Sequence, residues 1–329
     1  MPRRVTTRRQ FAQAACAAGL TTLMRLPAAL AQDKTPLRLI VTFPPGGSTD
    51  IAARTIQPRL GELIQRPVVV DNKPGAASQI GTQYVARAAP DGNTLLVSFD
   101  SHAINPIVKP NLPYDTFRDF VGVTLAVRFP LVIGAGAGVP ARDLREFVAM
   151  ARTEPARFSY ASTGVGSMNH LVMEDIKRQA SIHVLHVPFG GGGPAVQAVI
   201  SDQASLTLLS YAALRGQSSA ARVKPLAVTG ATRLPDLPAV PTVAESGFPE
   251  FEAYSWIGIF APAATPQPIR GWLTRQFQVA LSTPDVKEKL NQAGFEVMAS
   301  DGAALDRYAR EQYERWSRFV QSSGITLGE

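Results

Sequence analysis

The residues best suited to binding chemistry form a glycine-containing turn over positions 43–50, with the sequence Phe-Pro-Pro-Gly-Gly-Ser-Thr-Asp. An apolar run at 37–42 precedes this turn and predicts a buried strand, and apolar residues at helical spacing follow it. Glycines at such a turn let the backbone approach a ligand, and the amides at a helix N-terminus attract an anion. The turn lacks Lys, Arg and a P-loop ending, so a carboxylate fits it better than a triphosphate. Taken alone, the pattern is also typical of an ordinary turn.

Three more loops rich in glycine and hydroxyl groups follow predicted strands, at 98–102, 161–167 and 189–193. Ligands of open α/β sheets bind beyond the carboxyl ends of the strands. These loops and the 43–50 turn meet only if two sheets face one another. The sequence therefore predicts a cleft between two sheets.

Strand and helix patterns alternate along the chain, which indicates parallel sheets covered by helices. The predicted strands are 37–43, 67–71, 94–99, 123–136, 158–161, 183–187, 204–210, 224–229 and 254–262. The predicted helices are 49–64, 79–89, 142–152, 167–179, 193–201, 266–282, 284–293 and 303–322.

The first 31 residues have the pattern of an export signal. Thr-Arg-Arg-Gln-Phe at 7–11 resembles a twin-arginine motif, and Ala-Leu-Ala at 29–31 is typical of a cleavage site. Arg25 interrupts the apolar stretch, which disfavours a membrane anchor. We expect cleavage near Ala31 and a periplasmic location, by either the twin-arginine or the Sec route.

Charge and cysteine usage narrow the class of protein. The chain has 33 basic and 26 acidic residues, and five arginines without any acid lie in the predicted leader. The remainder therefore carries a formal charge of +2 without a basic block, which disfavours nucleic-acid binding. The single cysteine, Cys16, also lies in the leader, so the mature protein is expected to have no disulfide. No other segment is long and apolar enough to span a membrane, so we expect a soluble protein, and we expect it to be a monomer.

Catalytic and metal-binding patterns are weak. The sequence has no Gly-x-Ser-x-Gly elbow and no His-Glu-x-x-His motif, and its four histidines lack zinc-site spacing. We expect a protein that is not an enzyme, with no metal and no cofactor. An exported hydrolase using Ser167 with His170 is the least favoured alternative.

Nine short motifs occur in an order and at spacings that resemble the Bug-type extracytoplasmic solute receptors of tripartite tricarboxylate transporters. The resemblance covers nearly all of 36–326. Besides the 43–50 turn, the motifs are Asp71-Asn-Lys-Pro-Gly-Ala76, Ala88-Ala-Pro-Asp-Gly-Asn-Thr-Leu-Leu96, His102-Ala-Ile-Asn-Pro106, Leu112-Pro-Tyr-Asp115, the 160–170 segment, His186-Val-Pro-Phe189, Pro238-Ala-Val-Pro-Thr-Val-Ala-Glu-Ser-Gly247 and Ser255-Trp-Ile-Gly-Ile-Phe-Ala-Pro262.

The resemblance implies an α/β, type II-like periplasmic binding protein with two lobes, each a mixed, mostly parallel sheet flanked by helices. After a signal peptide at 1–31, the first lobe would comprise 32–136 with 256–329, and the second 137–255. It also implies capture of a small carboxylate by lobe closure, with delivery to the membrane subunits of such a transporter. We expect a small organic mono- or dicarboxylate or an aromatic acid, because glycines 190–193 leave room for a flat ring. The alternative is a receptor that signals to a membrane histidine kinase.

The resemblance and the loop chemistry together predict a set of ligand-binding residues. Asp50 is interpreted as a brace for the first loop, whereas contact of Asp100 and His170 with the ligand stays open. Gly190 and Leu209 stand where relatives often carry polar or charged residues, which argues against an amino-acid ligand. The predicted contacts are Phe43, Pro45, Gly46, Gly47, Ser48, Asp100, Ser101, Ser162, Thr163, Gly164, Ser167, His170, Phe189, Gly190, Ser210 and Trp256, with Phe43, Phe189 and Trp256 as walls for a flat ring.

Overall fold

The computed structural model describes residues 35–109 and 111–325, and the predicted export signal lies outside them. Strands and helices alternate in this part of the chain, as the sequence predicts. The strands are β1 Leu37–Val41, β2 Val68–Asn72, β3 Thr94–Phe99, β4 Phe120–Gly136, β5 Ser159–Ser162, β6 Leu185–Pro188, β7 Leu206–Ser210, β8 Val223–Val228, β9 Tyr254–Pro262 and β10 Glu296–Val297.

Helices cover both sheets. They are α1 Ser48–Ile64, α2 Gln79–Ala86, α3 Ser101–Val108, α4 Leu144–Thr153, α5 Met168–Ala180, α6 Gly192–Ile200, α7 Tyr211–Ser219, α8 Gln267–Ser282, α9 Pro284–Gln292 and α10 Gly302–Ser323. The sequence patterns miss α3 and α7. Both are short, and Pro106 in α3 and Gly216 in α7 weaken the helical signal. None of the helices in the described ranges has the length and apolar composition that crossing a bilayer requires.

Two mixed sheets share the long strand β4, which confirms the two-lobed α/β fold. The first sheet has the order β2-β1-β3-β9-β4, with β10 also paired to β4. The second has the order β4-β7-β5-β6, with β8 also paired to β4. Pairing is parallel around β1 and β5 and antiparallel wherever β4 or β9 takes part. We call the two halves the first and second lobes.

Strand β4 passes from one lobe to the other between Pro130 and Leu131. Its 17 residues pair with β9 as far as Pro130 and with β7 from Leu131 onward. The buried Thr229 fixes this crossing, because its hydroxyl accepts from the Leu131 amide at 2.8 Å and donates to the Ala253 carbonyl at 2.6 Å. The lobe limits at 136 and 256 remain predictions. The strand partner of β4 changes between residues 130 and 131.

Candidate functional site

A cavity of about 630 Å³ lies between the two lobes. The four loops that the sequence predicts to converge all contribute to its wall. The first lobe supplies residues 43–49, 77, 99–101 and 105, and the second supplies 163–169, 190–194, 196–197, 209–210, 212–213 and 217, with Phe129 and Leu131 from β4 between them.

Among the described residues, five helices begin at this cavity: α1, α3, α5, α6 and α7. The N-terminus of a helix carries partial positive charge and amides that have no partner within the helix. Helices α1 and α6 follow glycines, Gly47 and Gly191, and no side chain caps either one. The described lining residues include no Lys, Arg or His. The cavity therefore attracts an anion through backbone dipoles instead of a salt bridge.

The 43–50 loop of the first lobe is braced from behind by Asp50, which confirms the role expected for this side chain. The Asp50 carboxylate accepts from the Gly46 amide at 2.9 Å, from Arg54 Nε at 2.9 and 3.0 Å, and from Asn72 Nδ2 at 3.0 Å. Burial alone would raise the Asp50 pKa, but the bonds from Arg54, Gly46 and Asn72 outweigh it and hold the pKa below its ordinary value.

The 162–167 loop of the second lobe rests on a stack of two histidine rings. The rings of His170 and His186 lie 3.9 Å apart, with an interplanar angle of 10°. Ser162 Oγ lies 2.6 Å from His186 Nε2, and the Gly166 amide donates to His170 Nδ1 at 3.0 Å. Ser162 and His170 are therefore buried supports behind the loop and do not line the cavity, which corrects the predicted place of Ser162 and bears on the open question of His170.

Burial lowers the pKa of both histidines. The His186 pKa falls to about 4, mainly through burial and secondarily through the neighbouring His170. The His170 pKa also falls through burial, although Glu174 opposes the shift. Both rings are neutral at neutral pH. Since the His170 ring nitrogen Nδ1 accepts from Gly166, and Ser167 Oγ caps the His170 amide, the hydrolase pair considered from the sequence does not form.

The two lobes touch at the edge of the cavity. Ser48 Oγ of the first lobe lies 3.0 Å from Ser210 Oγ of the second. A Cβ atom on Gly166 would lie 2.8 Å from the Val108 side chain of α3, and Gly166 has a φ of +72°. Glycine is thus required at 166 both by its backbone angle and by the close approach of the first lobe.

The aromatic wall of the cavity consists of Phe43, Phe99 and Phe129. The Phe43 and Phe99 ring centroids are 5.7 Å apart in an edge-to-face arrangement, and those of Phe99 and Phe129 are 5.8 Å apart. Such a wall can contact a flat or aliphatic ligand body. Phe43 is one of the three residues expected to form this wall.

The other two expected wall residues, Phe189 and Trp256, lie outside the cavity. Phe189 packs against the apolar cluster under α6. Trp256 is fully buried on the opposite side of the first sheet, with its ring against Phe260 and Tyr308. Because β9 is a central strand with both faces covered, its apolar residues fill the core instead of facing the ligand.

Asp100 lies in the cavity wall at the start of α3 and is only 3% exposed. Ser255 Oγ donates to Asp100 Oδ2 at 2.5 Å. Burial raises the Asp100 pKa to about 7, against the effect of the bonds from Ser255 and the Ser101 amide. A carboxyl group with this pKa exists in both protonation states near neutral pH.

Most of the predicted site residues line the cavity, although their contact with a ligand remains a prediction. Ser162, His170, Phe189 and Trp256 do not line it. Those that do are Phe43, Pro45, Gly46, Gly47, Ser48, Asp100, Ser101, Thr163, Gly164, Ser167, Gly190 and Ser210. The cavity is also lined by Asn105, Asn169 and Gln197, which were not predicted from the sequence. Of these, Asn105 lies in the His-Ala-Ile-Asn-Pro motif, and that motif could have indicated it.

Within residues 35–109 and 111–325, no group of three or more His, Cys, Asp or Glu side chains is arranged to hold a metal ion. The chemistry of the cavity therefore rests on amides, hydroxyls, side-chain amides, one carboxyl group and apolar walls.

The fold and the cleft define the class of two-lobed periplasmic binding proteins. Residues 52–325 match the family model described as the tripartite tricarboxylate transporter family receptor. The chain belongs to this family, and its resemblance to the Bug-type receptors is confirmed.

Similar proteins include BugT of Bordetella pertussis, which is 31% identical over 89% of this chain and 90% of its own length. Two solved structures from Rhodopseudomonas palustris also match. Rpa4515 with adipate is 30% identical, with a TM-score of 0.84 over 88% of this chain and 98% of that one. MatC with bound malate is 30% identical, with a TM-score of 0.79 over 87% and 98%.

Proposed function

We propose that this protein is a periplasmic receptor that captures a small organic dicarboxylate or aromatic acid between its lobes. It delivers this ligand to the membrane subunits of a tripartite tricarboxylate-type transporter, and it catalyses no reaction. The observation that carries the proposal is the convergence of five helix N-termini on a cavity whose described wall has no Lys, Arg or His. This arrangement suits a carboxylate held by amides and hydroxyls.

The walls of the cavity support the choice of ligand class. Gly46, Gly47 and Ser48 would bind one carboxylate from the first lobe, and the 163–167 loop would bind from the second. Phe43, Phe99 and Phe129 would contact the body of the ligand. The similar proteins solved with adipate and with malate support a dicarboxylate.

Closure of the lobes around the ligand is part of the proposal. The cavity wall comes from both lobes, and the two lobes are joined through β4 and through the segment between β8 and β9. A rotation at the Thr229 crossing would open the cleft, with Ser48 and Ser210 separating. Small-angle scattering should show a smaller radius of gyration with ligand; an unchanged radius at saturation would contradict closure.

A thermal-shift screen of the mature chain tests the ligand class. Succinate, adipate, phthalate and benzoate are compared with their uncharged amides and with aspartate and glutamate. A ligand that binds only the folded state at about 100 times its Kd stabilises it by about 2.7 kcal/mol. We expect the acids to raise the melting temperature and the amides to have no effect. Equal stabilisation by an acid and its amide would contradict recognition of a carboxylate.

A further inference from the structure

Asp100 is the only ionisable side chain among the described residues that line the cavity. It is buried at 3% exposure, and its carboxyl group lies beside the aromatic wall, because Ser255, its hydrogen-bond donor, pairs with Phe129 across β9 and β4. A cavity built to attract anions thus contains one acid and no neutralising cation. This combination requires an explanation in terms of the ligand.

The groups around Asp100 leave its charge unpaired. Strand β9 presents the Ser255 hydroxyl, and β4 presents Phe129 and Leu131. Tyr308 of α10 packs its ring against Trp256 and interacts with Asp100 only electrostatically; its pKa is raised to about 12 mainly by burial, so its hydroxyl is neutral. On α3 itself, His102 has a pKa lowered to about 3 by burial and is neutral as well.

No Lys or Arg lines the described cavity wall, and Arg128, which precedes Phe129 on β4, has other partners. Arg128 of β4 forms an ion pair with Glu296 at 2.7 Å and lies 4.5 Å from the Tyr254 ring centre. It does not line the cavity. An ionised Asp100 would therefore face a bound carboxylate without compensation, which is strongly unfavourable in a closed cleft.

We propose that Asp100 determines the specificity of this site by holding a proton and donating it in a hydrogen bond to an acceptor oxygen of the bound anion. The site then selects a ligand with a carboxylate at the helix N-termini and a second carboxylate or carbonyl oxygen at Asp100. This inference rests on the proposed function, because it assigns one end of the same ligand. A ligand with an ammonium group at that end is disfavoured.

Ligand binding and protonation of Asp100 are coupled in a definite direction. The unliganded Asp100 has a pKa near 7, and a ligand anion beside it raises that pKa further, so binding takes up a proton. If only the protonated form binds, affinity falls about tenfold between about pH 6 and about pH 8. An ammonium ligand would have the opposite sign, because it stabilises the ionised form and displaces a proton.

Calorimetric titration of the mature protein with succinate, adipate and phthalate tests the proposal. Titrations in two buffers of different ionisation enthalpy measure the protons exchanged. We expect an uptake of up to about one proton at about pH 8, with affinity rising as the pH is lowered.

Asp100→Asn supplies a permanent amide donor of the same shape. We expect this variant to bind the dicarboxylates with little pH dependence and without proton uptake. The matched control is Asp306→Asn, which changes another carboxyl group with a raised pKa, half-buried and outside the cavity. It should keep the pH dependence of the wild type.

Ser255→Ala gives a second test if Asp100→Asn folds poorly. The Ser255 hydroxyl lowers the Asp100 pKa, so its removal should move the pH profile of binding to higher pH. A profile that stays in place would overturn the inference.

The outcomes separate this inference from the proposed function. If none of the carboxylates binds, the function and the inference both fail. If they bind without proton uptake and Asp100→Asn behaves as the wild type at every pH, the inference fails and the function stands. Proton release, or loss of binding in Asp100→Asn at low pH, would show that Asp100 acts as an anion and would overturn the inference.

Discussion

The two glycine loops that face each other across the cleft are constrained in different ways. The 43–50 loop is tied by Asp50, which bonds the Gly46 amide and is itself held by Arg54 and Asn72. The 190–193 loop consists of four glycines, and added Cβ atoms at Gly190, Gly191 and Gly193 would meet nothing within 4 Å. The first loop is preorganised, whereas the second leaves open space. We infer that the first sets affinity and the second sets the size of the ligand.

Asp50→Ala should produce the largest loss of affinity. The change removes the acceptor for the Gly46 amide and the carboxylate that Arg54 and Asn72 bond, although those two side chains still bond each other. We expect the best carboxylate of the screen to bind at least about tenfold more weakly, which corresponds to about 1.4 kcal/mol. Calorimetry measures the change.

The control for Asp50→Ala is Asp71→Ala. Asp71 is also paired with an arginine, Arg38, at 2.6 Å, but it does not line the cavity or bond the loop. We expect unchanged affinity in the control. Equal losses in both variants would show that the brace has no specific role.

Gly46→Ala and Gly47→Ala should differ although the glycines are neighbours. Gly46 has a φ of +81°, where an alanine costs about 1–2 kcal/mol, whereas Gly47 has a φ of −78° and an ordinary contact with the Pro44 carbonyl at 3.4 Å. We expect lower stability and several-fold weaker binding for Gly46→Ala, and near-normal behaviour for Gly47→Ala. Denaturant unfolding and calorimetry give both quantities, and identical results for the pair would refute the distinction.

Gly190→Val tests the open wall of the second lobe. The added side chain has space and lines the cavity, so the fold should be kept while room for the ligand is reduced. We expect Gly190→Val to bind phthalate a few-fold more weakly and to show a smaller change for succinate. The affinities of Gly190→Ala should lie between those of the wild type and of Gly190→Val. A uniform loss for both acids would show that the loop does not select by size.

The smallest expected effect comes from a substitution in the histidine stack, and it concerns stability at low pH. His186 has a pKa of about 4 in the folded protein and about 6.5 when unfolded, so the unfolded state binds more protons between these values. Its contribution to stability is present above about pH 6.5 and is lost as the pH falls toward about 4. Asp100 has a raised pKa in the folded protein, so its contribution to stability is instead lost as the pH rises.

The comparison is therefore made between His186→Gln and the wild type. Lowering the pH from about 7 to about 5 should lower the melting temperature of both proteins. We expect the fall to be smaller in the variant than in the wild type, by about 2–4 °C. Scanning calorimetry measures the difference, and parallel curves would contradict this role for His186.

Local patterns were sufficient to predict most of the strands and helices. The limits predicted for β3 and β9 agree with the structure because both are short, mainly apolar segments rich in β-branched and aromatic residues. The position of β9 between β3 and β4, in contrast, could not be predicted from local patterns. It depends on pairing between segments far apart in the chain, which periodicity within a segment does not report.

The site was predictable where backbone chemistry decides and not where side-chain direction decides. The glycine loops line the cavity because turns at strand ends must lie there. Phe129 was missed because β4 carries register shifts near Gly122 and Leu125, and each shift changes which face the following residues occupy. Ser162 ends β5 and His170 lies in the first turn of α5, so they flank the correct loop, but their side chains point behind it.

The insertion of β9 into the first sheet has a consequence for the order of folding. Strand β9 separates β3 from β4, so the first sheet stays incomplete until residues 254–262 are available. Strands β4 to β8 are contiguous in the chain and form the second sheet without β9. The second sheet can therefore pair before β9 is available, whereas the edges of β3 and of the first part of β4 stay unpaired until then. Chaperone dependence should be concentrated in that interval, on the N-terminal strands.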